Sequence, residues 1–303
     1  MEQYQSVEKH IANLCRARFP MIYVPTWEEE RALKTFYRLA KDAEYIKTPR
    51  AVFIWRITSG IEQIESEIDV AAGGKVQQDT TDPLKALDFI QKYDAPAMLV
   101  LLDFHIYFDS RKPEPKVIRK IRDTVNMLKG GAVPKNVILL SPRLMLPNEL
   151  QKDITIVDFD LPDYQDIKKS LQRIINDNRG NTKIRFDLNE GGIEELAKAA
   201  QGLTLQESEN AFARAIVERG CLDADSRDII VEEKRQIIKK TGVLEFIQSD
   251  LNLDDVGGLG NLKKWLIKRN KSWQGRAAKY GLPAPKGVLI TGVPGCGKSL
   301  TAK

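Results

Sequence analysis

Short apolar segments that alternate with amphipathic segments restrict the fold of this chain more than any other feature of its sequence. Five apolar segments have the length and β-branched composition of strands: 21–25, 51–57, 97–104, 136–141 and 154–159. Segments with helical periodicity surround them, at 7–17, 28–41, 83–92, 116–128 and 164–176. Strands that alternate with helices favour a parallel sheet with helices on both faces. We therefore predict a layered α/β domain.

A purely helical pattern follows Asn181. Three more helices are predicted at 188–200, 206–219 and 226–241, and Thr204 has the position of a cap for the second of them. We predict that they form a helical lid, about 181–241, at the end of a first domain that spans 1–241. Residues 242–253 have the composition of a connector, and a second domain begins at 254 and runs to 303.

Composition excludes several classes of protein. The 303 residues are 42% hydrophobic and 29% charged, as in an ordinary globular protein. No apolar run approaches the ~20 residues of a membrane span, and the first residues lack the basic start and apolar centre of a signal peptide. Cys15, Cys221 and Cys296 lie far apart, and His10 and His105 add no metal-binding spacing. We expect reduced thiols, no membrane association, and a cytoplasmic location, or the plastid stroma if the protein is plastid-encoded.

The net charge of +5 has a local origin. Residues 255–303 contain ten Lys or Arg and one acid, whereas the rest of the chain has 37 basic and 41 acidic residues. The positive charge therefore belongs to one segment and gives little reason to predict a broad basic surface. Trp265 and Trp273 lie in that segment, where packing on their own domain is the simpler interpretation. We do not expect nucleic-acid binding.

Residues Gly292 to Ser299 read GVPGCGKS, a full match to the phosphate-binding P-loop. The apolar run 287–291 precedes it as a predicted strand, and 298–303 has the composition of a helix start. Glycines let backbone N–H groups face the α and β phosphates of a nucleotide, while Lys298 reaches the β and γ phosphates and the Ser299 hydroxyl is placed for Mg²⁺. Cys296 is interpreted as a small residue at a variable position. The sequence thus predicts a nucleotide site.

The segments DDVGGL, from Asp254, and YGLPAPKGVLITGVPGCGKS, from Tyr280, resemble the start of an AAA+ ATPase domain. The resemblance implies ATP and Mg²⁺ as ligands. It places the adenine beside the backbone of Asp255, Val256 and Gly257. It implies that the phosphates are held by Pro294, Gly295, Cys296, Gly297, Lys298 and Ser299, and that Ser299 also binds Mg²⁺. It places Thr301 beside the base or ribose.

The first domain also resembles an AAA+ module, but one without phosphate-binding chemistry. Its strand 21–25 is placed like the strand before a P-loop, yet Thr26 to Arg31 reads TWEEER and has neither glycine nor lysine. Thr26 and Glu29 have the spacing of a capping box. Three carboxylates at a helix N-terminus would repel a polyphosphate where a P-loop attracts it.

Other segments of the first domain match the family in position and differ in chemistry. Asp103 stands where the family has its metal-orienting aspartate, but Phe104 replaces the acid that polarises water. We therefore interpret Asp103, and the lone His105 beside it, as structural. Two further segments resemble the family's sensor strand, at 136–141, and its helical lid, from Gly202.

Nearly the whole chain is similar to the uncharacterised AAA-domain proteins of hypothetical chloroplast reading frame forty-six, notably in the TWEEER turn and in 233–247, EKRQIIKKTGVLEFI. The resemblance implies an α/β fold: a P-loop-type parallel sheet with a helical lid in a degenerate AAA+-like unit, then the start of a second AAA+ unit. It also implies ATP hydrolysis coupled to macromolecular remodelling in a homo-oligomeric ring, with a protein partner that the sequence does not identify.

Catalytic residues are the part of an ATPase that this sequence does not supply. Hydrolysis needs a metal-orienting acid, a water-polarising group and usually an arginine, and we assign none within the 303 residues. We therefore expect little ATPase activity and weak ATP binding. Two alternatives stay open: a scaffold or partner-docking module that works without nucleotide, and another P-loop class such as a small kinase or nucleic-acid motor, against which the DVGG turn argues.

Overall fold

A computed structural model describes residues 7–77, 79–109, 111, 113–181, 184–241, 257–270 and 289–293. The chain divides into two units, Met1–Lys234 and Arg235–Lys303. The strands are β1 (Met21–Pro25), β2 (Ala51–Arg56), β3 (Gly60–Ile64), β4 (Lys75–Gln77), β5 (Ala97–Leu102), β6 (Lys135–Ser141), β7 (Thr155–Ile156), β8 (Arg185–Phe186) and β9 (Cys221–Leu222). The helices are α1 (Val7–Arg16), α2 (Glu29–Lys41), α3 (Asp69–Ala72), α4 (Pro83–Lys92), α5 (Pro115–Gly130), α6 (Tyr164–Asp177), α7 (Glu190–Ala200), α8 (Leu205–Arg219), α9 (Ser226–Thr241) and α10 (Gly260–Asn270).

Seven strands of the first unit form one sheet in the order β4-β3-β2-β5-β6-β1-β7. The pairs from β2 to β7 are parallel, which confirms the predicted sheet. The antiparallel hairpin β3-β4, added beside β2, was not predicted. Glu62 and Gln63 interrupt its apolar pattern, and Glu62 is nevertheless buried because it accepts a hydrogen bond from Arg56 at 3.0 Å.

Helices cover both faces of the sheet, as the alternation of elements predicted. Ile22 and Val24 of β1 pack with α1 and α2 on one face. Met21 and Tyr23 of the same strand pack with α4 and α5 on the other. Because successive side chains of a strand point to opposite faces, one short apolar strand supplies both layers of the core.

Two strands end at least two residues earlier than predicted. We predicted a strand over 97–104, but β5 stops at Leu102 because Asp103 has a left-handed backbone conformation, φ 52. We predicted a strand over 154–159, but β7 has only two residues, since its ladder partners are limited to Ile22 and Tyr23. Both differences lie at the carboxyl edge of the sheet, where the backbone turns toward the next element.

The segment after Asn181 is mostly helical, as predicted, with α7, α8 and α9 close to the expected ranges. Thr204 caps α8 in a capping box with Glu207, which confirms the predicted cap. The short parallel pair β8-β9 was not predicted. Two residues are too few to give a periodic sequence signal, so only their pairing across the chain identifies these strands.

Asp223 connects the end of α8 to the start of α9. Its carboxylate accepts hydrogen bonds from the backbone N–H of Ser226 at 3.1 Å and from the hydroxyl of Ser226 at 3.0 Å. It also pairs with Arg219, at 3.0 Å. Burial would raise the pKa of Asp223, but the hydrogen bonds from Arg219, Cys221 and Ser226 together lower it to about 2.

We expect Asp223→Asn to destabilise the first unit near neutral pH and to have little effect near pH 2. The pKa of Asp223 is about 2 in the folded state, below the ordinary 3.8. The carboxylate therefore stabilises the fold fully above pH 3.8, and this stabilisation is lost as the pH falls through about 2. The loss should be about 1 kcal/mol, because the ion pair is partly exposed. Urea unfolding across this pH range, followed by circular dichroism, measures it.

Asp225→Asn is the matched control for this experiment. Its carboxylate also lies near Arg219, at 3.3 Å, but its side chain is 81% exposed, so the change should have no measurable effect on the free energy of unfolding. A destabilisation by Asp223→Asn that stays constant over the whole pH range would contradict the expectation.

The described part of the second unit is small. The sequence of 261–271 predicts a helix, and α10 lies within one residue of that range at each end. The backbone N–H of Lys263 closes its first turn by donating to the carbonyl of Leu259 at 2.9 Å. The predicted strand 287–291 is wrong for its described part, since 289–291 has no strand structure; a strand forms only with a hydrogen-bonded partner strand. The connector 242–253 lies outside the described residues. Among the helices described, none is long and apolar enough to cross a bilayer.

Candidate functional site

Most of the predicted nucleotide site lies outside the described residues. These positions are Asp255, Val256, Pro294, Gly295, Cys296, Gly297, Lys298, Ser299 and Thr301. Gly257 is described, is exposed, and has open space where a Cβ would stand. After it, Gly258 and Leu259 take left-handed conformations, φ 71 and 54, before α10 begins. The backbone thus bends into a helix here, and the ligands assigned to this segment remain predictions.

The first unit places a different turn after β1, at the position that precedes α2. The backbone N–H of Thr26 donates to the carbonyl of Ser141 at 2.9 Å, which ties the turn to the end of β6. Trp27 is 72% exposed at the tip of the turn. Glu28 follows and is buried, although it carries a carboxylate. The turn therefore presents a tryptophan to solvent and keeps an acid inside.

The predicted capping box of Thr26 and Glu29 is wrong. The hydroxyl of Thr26 accepts from the N–H of Glu28 at 3.1 Å, two residues on, and Glu28 is the N-cap residue of α2. No side chain caps this helix end. Because Glu28 has φ −90 and ψ 60 and is itself the N-cap residue, α2 starts two residues later than a Thr26 cap requires.

The carboxylate of Glu28 points to a second helix. Its Oε1 accepts a hydrogen bond at 2.8 Å from the backbone N–H of Leu205, the first residue of α8. Its Oε2 accepts from Nε of Arg31 at 2.9 Å. With 3% of its side chain exposed, this carboxylate is fully paired inside the protein.

Arg31 joins the same cluster to the segment that leads into α6. It donates to the carbonyl oxygen of Asp160, and its guanidinium lies 4.4 Å from the centroid of the Phe159 ring. A cation over an aromatic face is attracted to the ring. Arg31 is therefore held by a carboxylate, a carbonyl and a ring, and its charge is already compensated.

Glu29 and Glu30 complete the acidic turn. Burial raises the pKa of Glu29, the nearby Arg56 lowers it, and the charge of Asp103 raises it again. Glu30 is paired with Lys34 at 2.6 Å, one helical turn on. The N-terminus of α2 thus carries negative charge where a nucleotide-binding turn would offer free N–H groups and a lysine.

A cleft of about 610 Å³ opens between this turn, α1, α2 and the helices α6 and α8. Its charged lining includes seven acids and five bases. Four of the bases pair with acids of the same lining: Arg31 with Glu28, Lys34 with Glu30, Arg38 with Glu8, and Arg173 with Glu209. With seven acids against five bases, the cleft has a net negative lining and not the positive charge that a polyphosphate needs.

Asp103 and Phe104, which the resemblance matched with catalytic positions, directly follow β5. Asp103 has 55% of its side chain exposed, and its Oδ1 lies 3.8 Å from Nδ1 of His105. Phe104 is fully buried and packs edge-on against Trp55, with ring centroids 5.3 Å apart. Phe104, which the resemblance to AAA+ modules matches with an acid, is part of the core. No group of three or more potential metal-binding side chains occurs in the described ranges.

Tyr23 fixes the loop after β6. Its hydroxyl lies 2.8 Å from Oγ of Ser141 and 2.7 Å from the carbonyl oxygen of Arg143, to which it donates, and it accepts from the N–H of Met145 at 3.2 Å. Burial raises the pKa of Tyr23, so the phenol stays neutral and keeps its proton for Arg143. The loop that follows the predicted sensor strand is thus fixed by a protein side chain.

Sequence reasoning missed the role of Glu28. The spacing of Glu28 and Arg31, three residues apart on a helix, was a visible signal for an ion pair. Nothing in the sequence marked Leu205, 177 residues away, as the other partner. The TWEEER segment gives no sign that its three glutamates differ, whereas the structure buries one and leaves two at the surface.

Comparison with known proteins gives the family. Residues 7–159 match the model of the SpoVK-like AAA ATPase N-terminal domain, and 165–241 match that of the second domain of the same ATPases. The uncharacterized AAA domain-containing protein ycf46 of Guillardia theta is 35% identical over 99% of this chain and 55% of its own length. Its counterpart in Trieres chinensis is 32% identical over 96% of this chain and 54% of its own length. The chain therefore spans about half the length of these curated relatives.

Solved structures that resemble the chain include the FIGL-1 AAA domain in complex with ADP and PCH-2 of C. elegans. The first is 10% identical, covers 86% of this chain and 85% of its own, and has a TM-score of 0.45. The second is 10% identical, covers 76% and 67%, and has a TM-score of 0.46. Nothing about this chain follows from likeness at that level. The family models span the α/β sheet and the helices after it, and on that ground the chain belongs to the SpoVK-like AAA ATPases.

Proposed function

We propose that the second unit of this chain binds ATP with Mg²⁺. The observation that carries the proposal is the complete P-loop, 292–299, in a chain of the AAA ATPase family. Gly295 to Gly297 would present backbone N–H groups to the phosphates, Lys298 would neutralise them and Ser299 would hold Mg²⁺. The backbone of 255–257 would lie beside the adenine, with Thr301 near the base or ribose.

The first unit, in this proposal, binds no nucleotide. Its turn after β1 offers the carboxylates of Glu28, Glu29 and Glu30, which repel a triphosphate. The one base within three residues of them, Arg31, is already paired with Glu28. Asp103 alone, with Phe104 in the core, supplies one carboxylate where hydrolysis needs a metal-orienting acid and a water-polarising group. We propose that this unit does not hydrolyse ATP.

The chain spans about half the length of its curated relatives. For a protein of their full length we propose that ATP hydrolysis is coupled to the remodelling of a protein partner in a homo-oligomeric ring. Its domains would be 1–241, with a lid at about 181–241, a connector at 242–253, and an AAA+ ATPase domain from 254. A location in the cytoplasm or plastid stroma is part of the same proposal, as is the low ATPase activity expected of these 303 residues.

A second candidate function is partner docking by the first unit. The observation that favours it is the turn after β1, where the buried Glu28 compensates Arg31 and Trp27 stays 72% exposed. A domain that retains the architecture of a nucleotide-binding module without its phosphate site can serve as a scaffold. The two candidates are compatible, since they concern different units.

Photo-crosslinking with 8-azido-ATP and Mg²⁺ tests the proposal. We expect the label in peptides from the second unit, around 255–259 or 287–303, and competition by excess ATP. Label that is competed by ATP but falls within 21–31 or 159–206 would mean that the first unit binds nucleotide. Absence of competed label in both units would overturn ATP binding by this chain.

A further inference from the structure

Glu28 lies between the N-termini of two helices of the first unit. It is the N-cap residue of α2 in sequence, and its carboxylate bonds to the first N–H of α8. The N-terminus of a helix carries partial positive charge and N–H groups without intrahelical partners. A buried anion at this point is therefore stabilised by both helix ends, as a bound phosphate would be.

Arg31 compensates the charge of Glu28 and adds contacts to a further segment of the first unit. It neutralises Glu28 from the other side and reaches Asp160 and Phe159, which lie between β7 and α6. The pair thus contacts the helical part of the first unit at two places, the connection into α6 and the start of α8. These are separated in sequence from α2 by more than a hundred residues.

We propose that the Glu28–Arg31 pair is an internal anion latch that holds α6 and α8 against the α/β layer in one arrangement without any nucleotide. The latch differs from the proposed function, because it concerns how the first unit is held closed and does not require ATP binding by the second unit. As a consequence, the cleft lined by α2, α6 and α8 keeps the same width while other parts of the protein bind or release ligands.

The backbone N–H of Leu205 gives a specific readout. As the first residue of α8 it has no acceptor within the helix, so its protection from hydrogen exchange depends on Glu28. We expect Glu28→Ala to raise the exchange rate of this N–H about tenfold or more, since hydrogen bonds to charged groups are among the strongest in proteins. Glu28→Gln keeps an acceptor but removes the charge, and should give a smaller rise.

Glu30→Ala is the matched control. Glu30 lies on the same turn, but its carboxylate pairs with Lys34 on its own helix, so Leu205 exchange should stay unchanged. A second readout is cleavage by thermolysin on the N-terminal side of Phe159, whose half-buried ring lies under the Arg31 guanidinium. The full chain with Glu28→Ala should be cut there faster than the wild type, with unchanged far-ultraviolet circular dichroism.

The proposal fails if Glu28→Ala leaves Leu205 exchange and Phe159 cleavage at wild-type rates. It also fails if Glu28→Gln behaves as the wild type, because charge would then contribute nothing. Should Glu28→Ala not fold, Glu28→Gln decides alone. A negative result in the ATP crosslinking experiment leaves all of these measurements valid, so the two proposals can fail separately.

Discussion

Replacing Lys298 with alanine is expected to weaken ATP binding by the chain about 10- to 100-fold. The lysine of a P-loop contacts the β and γ phosphates through charge-assisted hydrogen bonds, and one such bond contributes about 1.5 to 3 kcal/mol, which corresponds to that range of affinity. Titration with a fluorescent ATP analogue in the presence of Mg²⁺ measures the change. Lys298 lies outside the described residues, so this expectation depends on the motif alone.

Lys303→Ala is the control for Lys298→Ala. Both lysines belong to the predicted helix start, 298–303, but only Lys298 occupies the motif position. The control should bind ATP as the wild type does. Equal loss in both variants would point to a general charge effect of this basic segment, and unchanged affinity in Lys298→Ala would show that the P-loop is not the binding site.

Adenine specificity also separates an AAA site from another P-loop class, since ADP should compete and other nucleotides should compete less.

Replacing Phe104 with glutamate is expected to destabilise the first unit by about 4 kcal/mol or more. Loss of a buried phenylalanine side chain alone costs about 3 to 5 kcal/mol, and a carboxylate at this site would also lose its hydration. Phe104 is fully buried and packs on Trp55, Tyr107 and Phe108. Denaturant unfolding followed by circular dichroism measures the change in the free energy of unfolding.

This substitution introduces the acid that the resemblance to AAA+ modules leads us to expect at this position, so its outcome is informative about function. We expect no gain of ATPase activity in the first unit, because a charged side chain cannot take the place of Phe104 without disrupting the core. Phe104→Leu, which keeps an apolar side chain, should cost only about 1 kcal/mol. A stable Phe104→Glu variant with ATPase activity in a Lys298→Ala background would disprove the interpretation of this unit as degenerate.

Local sequence patterns predicted several elements at, or within one residue of, their observed bounds. Helices α4 and α9 have the predicted ranges, and α2 begins one residue later than predicted. Strand β1, with four fully buried residues in succession, was also predicted at its observed bounds. In these segments the hydrophobic period depends only on neighbouring residues, and so the sequence contains the information.

Pairing between distant segments could not be predicted. The hairpin β3-β4 has polar residues that the interior accepts only because Arg56, Ser59 and Gly74 bond to Glu62. The left-handed conformation of Asp103 ends β5 early and turns Phe104 into the core. Each of these outcomes depends on a partner that is brought close by the fold, and a single segment does not specify its partner.

By itself, the sequence determined that an α/β layer is followed by helices, that a P-loop lies at 292–299, and that the turn after the first strand lacks glycine and lysine. Only the tertiary structure decided which of the three glutamates in that turn is buried and what it binds. Glu28 is inside because Leu205 and Arg31 satisfy its two oxygens. Burial of a charge is stable only when such partners meet it, and the partner from α8 comes within reach only after the chain has folded.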